Sequence, residues 1–115
     1  MKILNRDQFL KMPPGTVYSK YEPVFFYDIE IKGDSIYFNG GGNDFGCQHI
    51  KDAVDAGSSE DFADILLAAE ETGGSFKMDF DCQGRDGLFE DDQLFAVWEK
   101  EDVEALIKRL EETLA

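Results

Sequence analysis

The residues best suited to chemistry fall in one stretch, Phe76–Glu99, FKMDFDCQGRDGLFEDDQLFAVWE. Asp79, Asp81, Gln83 and Gly84, with Glu90 as the twelfth residue, track the calcium-loop pattern. In that pattern alternate side-chain oxygens and a closing Glu surround the ion, and the Gly makes the sharp turn. Three features weaken the match. Gln83 stands where Asp or Asn is usual, Asp86 takes a position that is normally apolar, and Ser75–Met78 reads as a strand where a helix should precede the loop. A solvated acidic hairpin accounts for the same residues. Carboxylate pairs such as Asp79 with Asp81, or Glu90 with Asp92, could share acid and base roles, but such work needs one carboxyl in an apolar pocket. A run such as Glu90-Asp91-Asp92 at a turn is better suited to lie in water.

Cys47 and His49 form the second candidate. Two apart on a strand, they share a face and could act as nucleophile and base. A small buried thiol beside a half-exposed imidazole is the commoner outcome. Adding Cys82 to them would give three metal-ligand types, without any of the spacings that mark a zinc site.

Positioning these residues falls to elements that the patterning delimits. Asn5 caps a short helix, Arg6–Met12, which Pro13-Pro14-Gly15 ends. Thr16–Tyr21 reads as a strand, and Val24–Lys32 as another, with Phe25, Tyr27, Ile29 and Ile31 inward and Asp28, Glu30 and Lys32 outward. Gly33-Asp34 signals a turn, after which Ser35–Phe38 returns. Gly40-Gly41-Gly42 lacks the GK[ST] ending and following helix of a phosphate loop and reads as a turn. Phe45–Ile50 follows as a strand. Ser58 or Ser59 caps a helix to about Thr72 with Phe62, Ile65, Leu66 and Ala69 as its buried stripe, and Gly73-Gly74 stops it. Phe76–Phe80 and Leu94–Trp98 alternate as strands flanking the acidic loop. A last helix from about Lys100 repeats Val103, Leu106, Ile107, Leu110 and Leu114. The order predicts one α+β domain over residues 1–115, an antiparallel sheet of about five strands with two main helices packed on one face.

Charge narrows the partners. Residues 1–51 hold six acids and six bases, and residues 105–115 hold two of each. Residues 52–104 hold seventeen acids against Lys77, Arg85 and Lys100, so the whole net charge of −14 resides there. Such a field repels nucleic acid and anionic membranes and attracts a basic surface. With 43% apolar residues and ten Phe, the chain can still build a core. No signal core precedes Asn5-Arg6-Asp7, no apolar run reaches membrane length, and the two cysteines imply no disulfide framework, so a cytoplasmic protein is expected.

At PPGTVYSKYEP (Pro13–Pro23) and MDFDCQGRDGLFEDDQLFAVWE (Met78–Glu99) the sequence resembles a family of small proteins encoded by tailed bacteriophages and prophages. The likeness resumes in the last helix. It implies a phage accessory protein working in bacterial cytoplasm and brings no residue role with it. In composition the chain is also similar to anti-restriction and anti-CRISPR inhibitors, several of which mimic DNA. Acids one helical turn apart, or two apart on a strand, are spaced by about 5–7 Å. Asp79, Asp81, Asp86, Glu90, Asp91 and Asp92, supported by Glu60 and Asp64, could therefore meet a groove built for phosphates. The expectation is a non-enzymatic inhibitor of a basic, nucleic-acid-handling bacterial protein, with no cofactor. A calcium or small-ligand module on the Asp79–Glu90 loop, and a Cys47/His49 enzyme, are the alternatives. Net charge of this size also serves solubility by itself.

Overall fold

A computed structural model describes residues 1–81 and 83–115. Cys82, named above as a candidate ligand, lies outside the described residues. Among the described residues six antiparallel strands form one sheet in the order β1-β6-β2-β3-β4-β5, and three helices accompany it. The strands are β1 (Lys2–Leu4), β2 (Val17–Glu22), β3 (Phe25–Ile36), β4 (Asp44–His49), β5 (Gly84–Arg85) and β6 (Leu94–Val97). The helices are α1 (Arg6–Leu10), α2 (Ser59–Thr72) and α3 (Lys100–Glu112). The α+β class stands, with six strands where about five were expected. No described helix is long and apolar enough to cross a membrane.

The core is built on one sheet face and closed by the shortest helix. Asn5 starts α1 with a capping box: its Oδ1 accepts from Gln8 N–H at 2.9 Å, and Gln8 Oε1 accepts from Asn5 N–H at 3.0 Å. Those bonds satisfy two N–H groups that a helix start leaves free. They also aim Phe9 at the sheet, where its ring stacks on Phe95 at 4.0 Å and meets Tyr18 and Phe45 edge-on at 4.7 and 5.0 Å. Cys47, Val97 and Leu10 complete this buried cluster, and Leu4 and Met12 pack against it. The two long helices contribute less than their stripes suggested. Phe62, Ile65, Leu66 and Ala69 of α2 are only half-buried, and neither α2 nor α3 contains a fully buried residue. Ser58 caps α2 as expected, and Gly73 ends it in the left-handed conformation at φ 70°.

Three elements depart from the sequence reading. Gly33-Asp34 does not turn the chain: β3 runs straight through as one strand of twelve residues, with a register shift between Lys32 and Ser35. A Cβ on Gly33 would lie 2.7 Å from Gln83 Oε1 and 3.3 Å from the Gly46 backbone, so a larger residue at this bulge would have to displace Gln83 and crowd β4. A second shift, between Ser19 and Tyr21, breaks the alternation of β3. β3 also runs past the end of β4 at Glu30, so Phe25 and Tyr27 are exposed, while Lys32, expected outward, lies on the Tyr18 face and is sealed inside. Its Nζ donates to Gly33 O and to Ser35 Oγ, and Ser35 Oγ donates to Leu10 O, which tethers the end of α1. The third departure is Phe76–Phe80. It forms a single bridge, Val54 with Met78, among the described residues and leaves Phe76 and Phe80 exposed, because one bridged pair does not make a ladder that could bury its alternation. β1 was not anticipated; three residues are too few for a periodic signal.

Candidate functional site

Asp44 organises the acidic loop. It is fully buried at the start of β4, where Oδ1 accepts from Phe45 N–H at 2.8 Å and Gly87 N–H at 3.0 Å, and Oδ2 from Arg85 Nε at 2.9 Å. Burial opposes its ionisation, but the two backbone N–H groups and Arg85 outweigh that and hold the carboxyl below its ordinary value. The loop is thus drawn onto the sheet at Arg85–Gly87. Asp86 is drawn in with it: its side chain is only 6% exposed, bonded to Lys20 Nζ at 2.5 Å and 3.8 Å from Arg6 Nη1. Arg6 is itself buried over the Phe45 ring. Asp86 therefore neutralises internal cations and is not part of an outward acidic row.

Beyond this clamp the chain swings out. Phe89 adopts a left-handed φ of 54°, and Leu88, Phe89, Glu90, Asp91 and Asp92 are all exposed. Gln93 brings the chain back, its Nε2 donating to Tyr21 O at 3.0 Å and Leu94 O at 2.8 Å. Glu90 and Asp92 consequently stand beside the tip of the β2–β3 hairpin. Two clefts of about 380 and 320 Å³ adjoin there and share Glu22, Glu90 and Gln93. Tyr21, Pro23, Asp92 and Leu94 line the larger, and Lys20, Tyr27 and Leu88 the smaller.

The hairpin tip projects past its neighbours. Glu22 pairs with Phe25 across a two-residue loop, Pro23-Val24, while β6 ends opposite Tyr21 and β4 ends opposite Glu30. Among the described residues no strand covers the outer edge of Phe25–Asp28. With Pro23 first and a positive φ at the second position, the loop follows the type II pattern, whose second place glycine or asparagine usually fills. Here it is Val24, at φ 58° and 94% exposed, a strained choice for a β-branched residue. Phe25 and Tyr27 meet edge-on at 4.8 Å, and Tyr21 and Phe26 do so at 5.1 Å. The Glu22 carboxylate beside Tyr27 raises the phenol above its ordinary pKa.

The remaining candidate residues are dispersed. Asp79 Oδ1 accepts from Asp81 N–H at 2.9 Å, and Asp79 lines a separate cleft of about 270 Å³ with Gln48, His49, Asp52 and Gln83. Glu90, the closing ligand of the proposed calcium loop, lies at the hairpin tip instead, because the Asp44 clamp separates the two halves of the loop. No described group of three or more His, Cys, Asp or Glu is gathered in a way that could hold a metal ion. Asp79, Asp81, Gln83 and Glu90 are therefore not brought together as ligands. Glu60 and Asp64 lie exposed on α2, and no hydrogen bond or ion pair among the described residues joins them to the loop acids.

Cys47 and His49 do share a face, in a row that crosses three strands. Tyr18 hydroxyl donates to Glu30 Oε2 at 2.6 Å, Glu30 Oε1 lies 3.2 Å from His49 Nδ1, and His49 Nε2 lies 3.9 Å from Cys47 Sγ. The order of thiol, imidazole and carboxylate is that of a nucleophilic triad. The thiol, however, is 1% exposed, and burial, with Glu30 and Asp86 nearby, pushes it up to about 11. An activated cysteine needs the opposite shift and access to substrate. The row works as a polar seam through the sheet.

Glu90 and Asp92 were candidate acids in the sequence, but Glu22 was not, and Tyr27, expected inward, instead meets them at this cleft. Comparison with protein-family models, curated proteins and solved structures gives no match.

Proposed function

We propose that the protein is a non-enzymatic binding module that takes a basic protein surface at the tip of its β2–β3 hairpin. One observation carries this: Glu22, Glu90 and Asp92 line adjoining clefts beside half-buried Tyr21 and exposed Phe25, Phe26 and Tyr27. Among the described residues the one cation lining those clefts, Lys20, is already held by Asp86. Carboxylates favour lysine and arginine, and aromatic faces stack on a guanidinium and supply the large apolar anchors on which interface energy concentrates. The net charge of residues 52–104 steers such a partner toward this end and away from nucleic acid. The setting that suits it is a phage accessory protein in bacterial cytoplasm that inhibits a nucleic-acid-handling defence or host protein, with exposed acids standing where phosphates would lie. Asp79, Asp81, Asp91, Glu60 and Asp64 contribute to the field, while Glu22, Glu90, Asp92 and the hairpin aromatics make the contact.

The test uses immobilised protein against bacterial lysate at low salt, with elution by a salt step and competition by duplex DNA. A basic protein displaced by DNA is expected. Binding should fall more than about tenfold in Glu22→Gln/Glu90→Gln/Asp92→Asn and in Phe26→Ala/Tyr27→Ala, and less in Glu60→Gln/Asp64→Asn. Equal loss in all three variants would reduce the interaction to bulk charge and overturn the site.

A further inference from the structure

α3 presents an apolar seam that the fold does not cover. Val103 and Leu106 are half-buried, but Ile107, Leu110 and Leu114 are 50%, 55% and 87% exposed. Val103, Ile107 and Leu110 on α3, with Leu114 in the turn just past its end, follow the alternating four- and three-residue spacing by which one helix packs along another. The N-terminal end of the helix is anchored: the Met1 ammonium lies 2.9 Å from Glu99 and 2.8 Å from Asp102. The seam lies on the C-terminal half, past this anchor.

We propose that a second copy of the chain covers this seam, α3 packing against its two-fold mate. The first argument is area. The chain exposes 8039 Å², whereas a compact monomer of 13.0 kDa exposes about 6,300 Å². The radius of gyration is 16.3 Å, against about 13 Å for a compact chain of this length. The excess of about 1,700 Å² per chain is shared among the hairpin tip, α2 and α3, and it is large enough to include the ~800–1,000 Å² that one partner gives up in a stable dimer. The second argument is charge. A two-fold interface must be self-complementary, and two surfaces from residues 52–104 would bring like charges together. Residues 105–115 hold Lys108, Arg109, Glu111 and Glu112 and are neutral, so a copy can approach there without that penalty. A basic partner, by contrast, is drawn to the acidic surface. The dimer does not depend on the hairpin reading, and its salt response is opposite: screening of the −14 on each chain tightens it, while an acidic–basic complex weakens.

Light scattering coupled to gel filtration of the full chain, at micromolar concentration and in rising salt, decides the matter. The expected mass is twice 13.0 kDa. Ile107→Glu/Leu110→Glu should raise the dissociation constant at least ~100-fold, giving a chain of single mass with unchanged far-ultraviolet circular dichroism. Leu67→Glu, on the exposed face of α2, should leave the dimer intact. A single-chain mass for the natural sequence in all salts, or a dimer indifferent to the α3 pair, overturns the proposal. Hydrogen exchange on the unaltered protein guards against a variant that fails to fold. Amides of Lys100–Glu112 should slow as concentration drives the mass up, and no slowing across that series would overturn the proposal equally.

Discussion

Asp44→Asn is the most informative single change, because one atom separates the side chains and the site accounts for all of Asp44's bonds. The amide keeps one oxygen for the N–H groups of Phe45 and Gly87 but turns an NH₂ toward Arg85 Nε, so two donors face each other. A hydrogen bond to a charged group contributes about 1.5–3 kcal/mol. Arg85 is half exposed and can turn to water, which reduces its share to about 1 kcal/mol. Replacing a charged acceptor by a neutral one weakens the two backbone bonds by a further ~0.5–1 kcal/mol each. The expected loss is about 2–3 kcal/mol, or on the order of 10 °C in Tm. The sign of the pH dependence is fixed by the lowered pKa. The carboxylate's contribution is complete above its unfolded value and is lost as pH falls through the folded value. Urea titrations should therefore show the full deficit at neutral pH, shrinking as wild type itself loses stability in acid. A deficit below about 0.5 kcal/mol at neutral pH, or one that persists unchanged in acid, would refute the view that this carboxylate holds the loop.

Phe9→Ala should cost about 3–5 kcal/mol, since the ring is fully buried and stacked on Phe95; a urea midpoint within about 1 kcal/mol of wild type would show that α1 does not close the core. Native Cys47 should alkylate at least ~100-fold more slowly than an exposed thiol at mildly alkaline pH, read by peptide mapping, and should react at the ordinary rate in urea. Fast native labelling would reopen the nucleophile reading. Val24→Asn should raise stability by about 1 kcal/mol, because asparagine tolerates the left-handed φ of the hairpin loop; a lower Tm would mean that this valine is held by contacts other than backbone geometry.

Local signals in the sequence translated directly into structure. Asn5, Ser58 and Gly73 mark helix ends through bonds and angles that depend on nearby residues, and Leu94–Val97 forms the strand that its pattern suggested. What depended on distant partners did not translate. Gly33 carries the same signature whether it turns a chain or bulges a strand, and only the closeness of Gly46 decides. Asp86 reads as one more acid in a row until Lys20, sixty-six residues away, is seen to claim it. Phe25 and Tyr27 alternate as buried residues do, yet β3 outruns the sheet and leaves them in water. The contact site was hidden for the same reason, since Glu22 and Glu90 share a cleft only through folding.

The position of β6 sets a schedule for synthesis. It lies between β1 and β2, so the strand that joins the first residues of the chain to the rest of the sheet is among the last to be made. While the ribosome is still short of Leu94, β2, β3 and β4 can zip as a meander, but β1 has no neighbour and Phe9 lacks the ring it stacks on. Pairing across such a separation also closes a long loop, which makes folding slow. The nascent chain is thus expected to remain protease-sensitive until Val97 has cleared the exit tunnel, and then to become resistant in one step. A nested series of stalled chains would display that step directly.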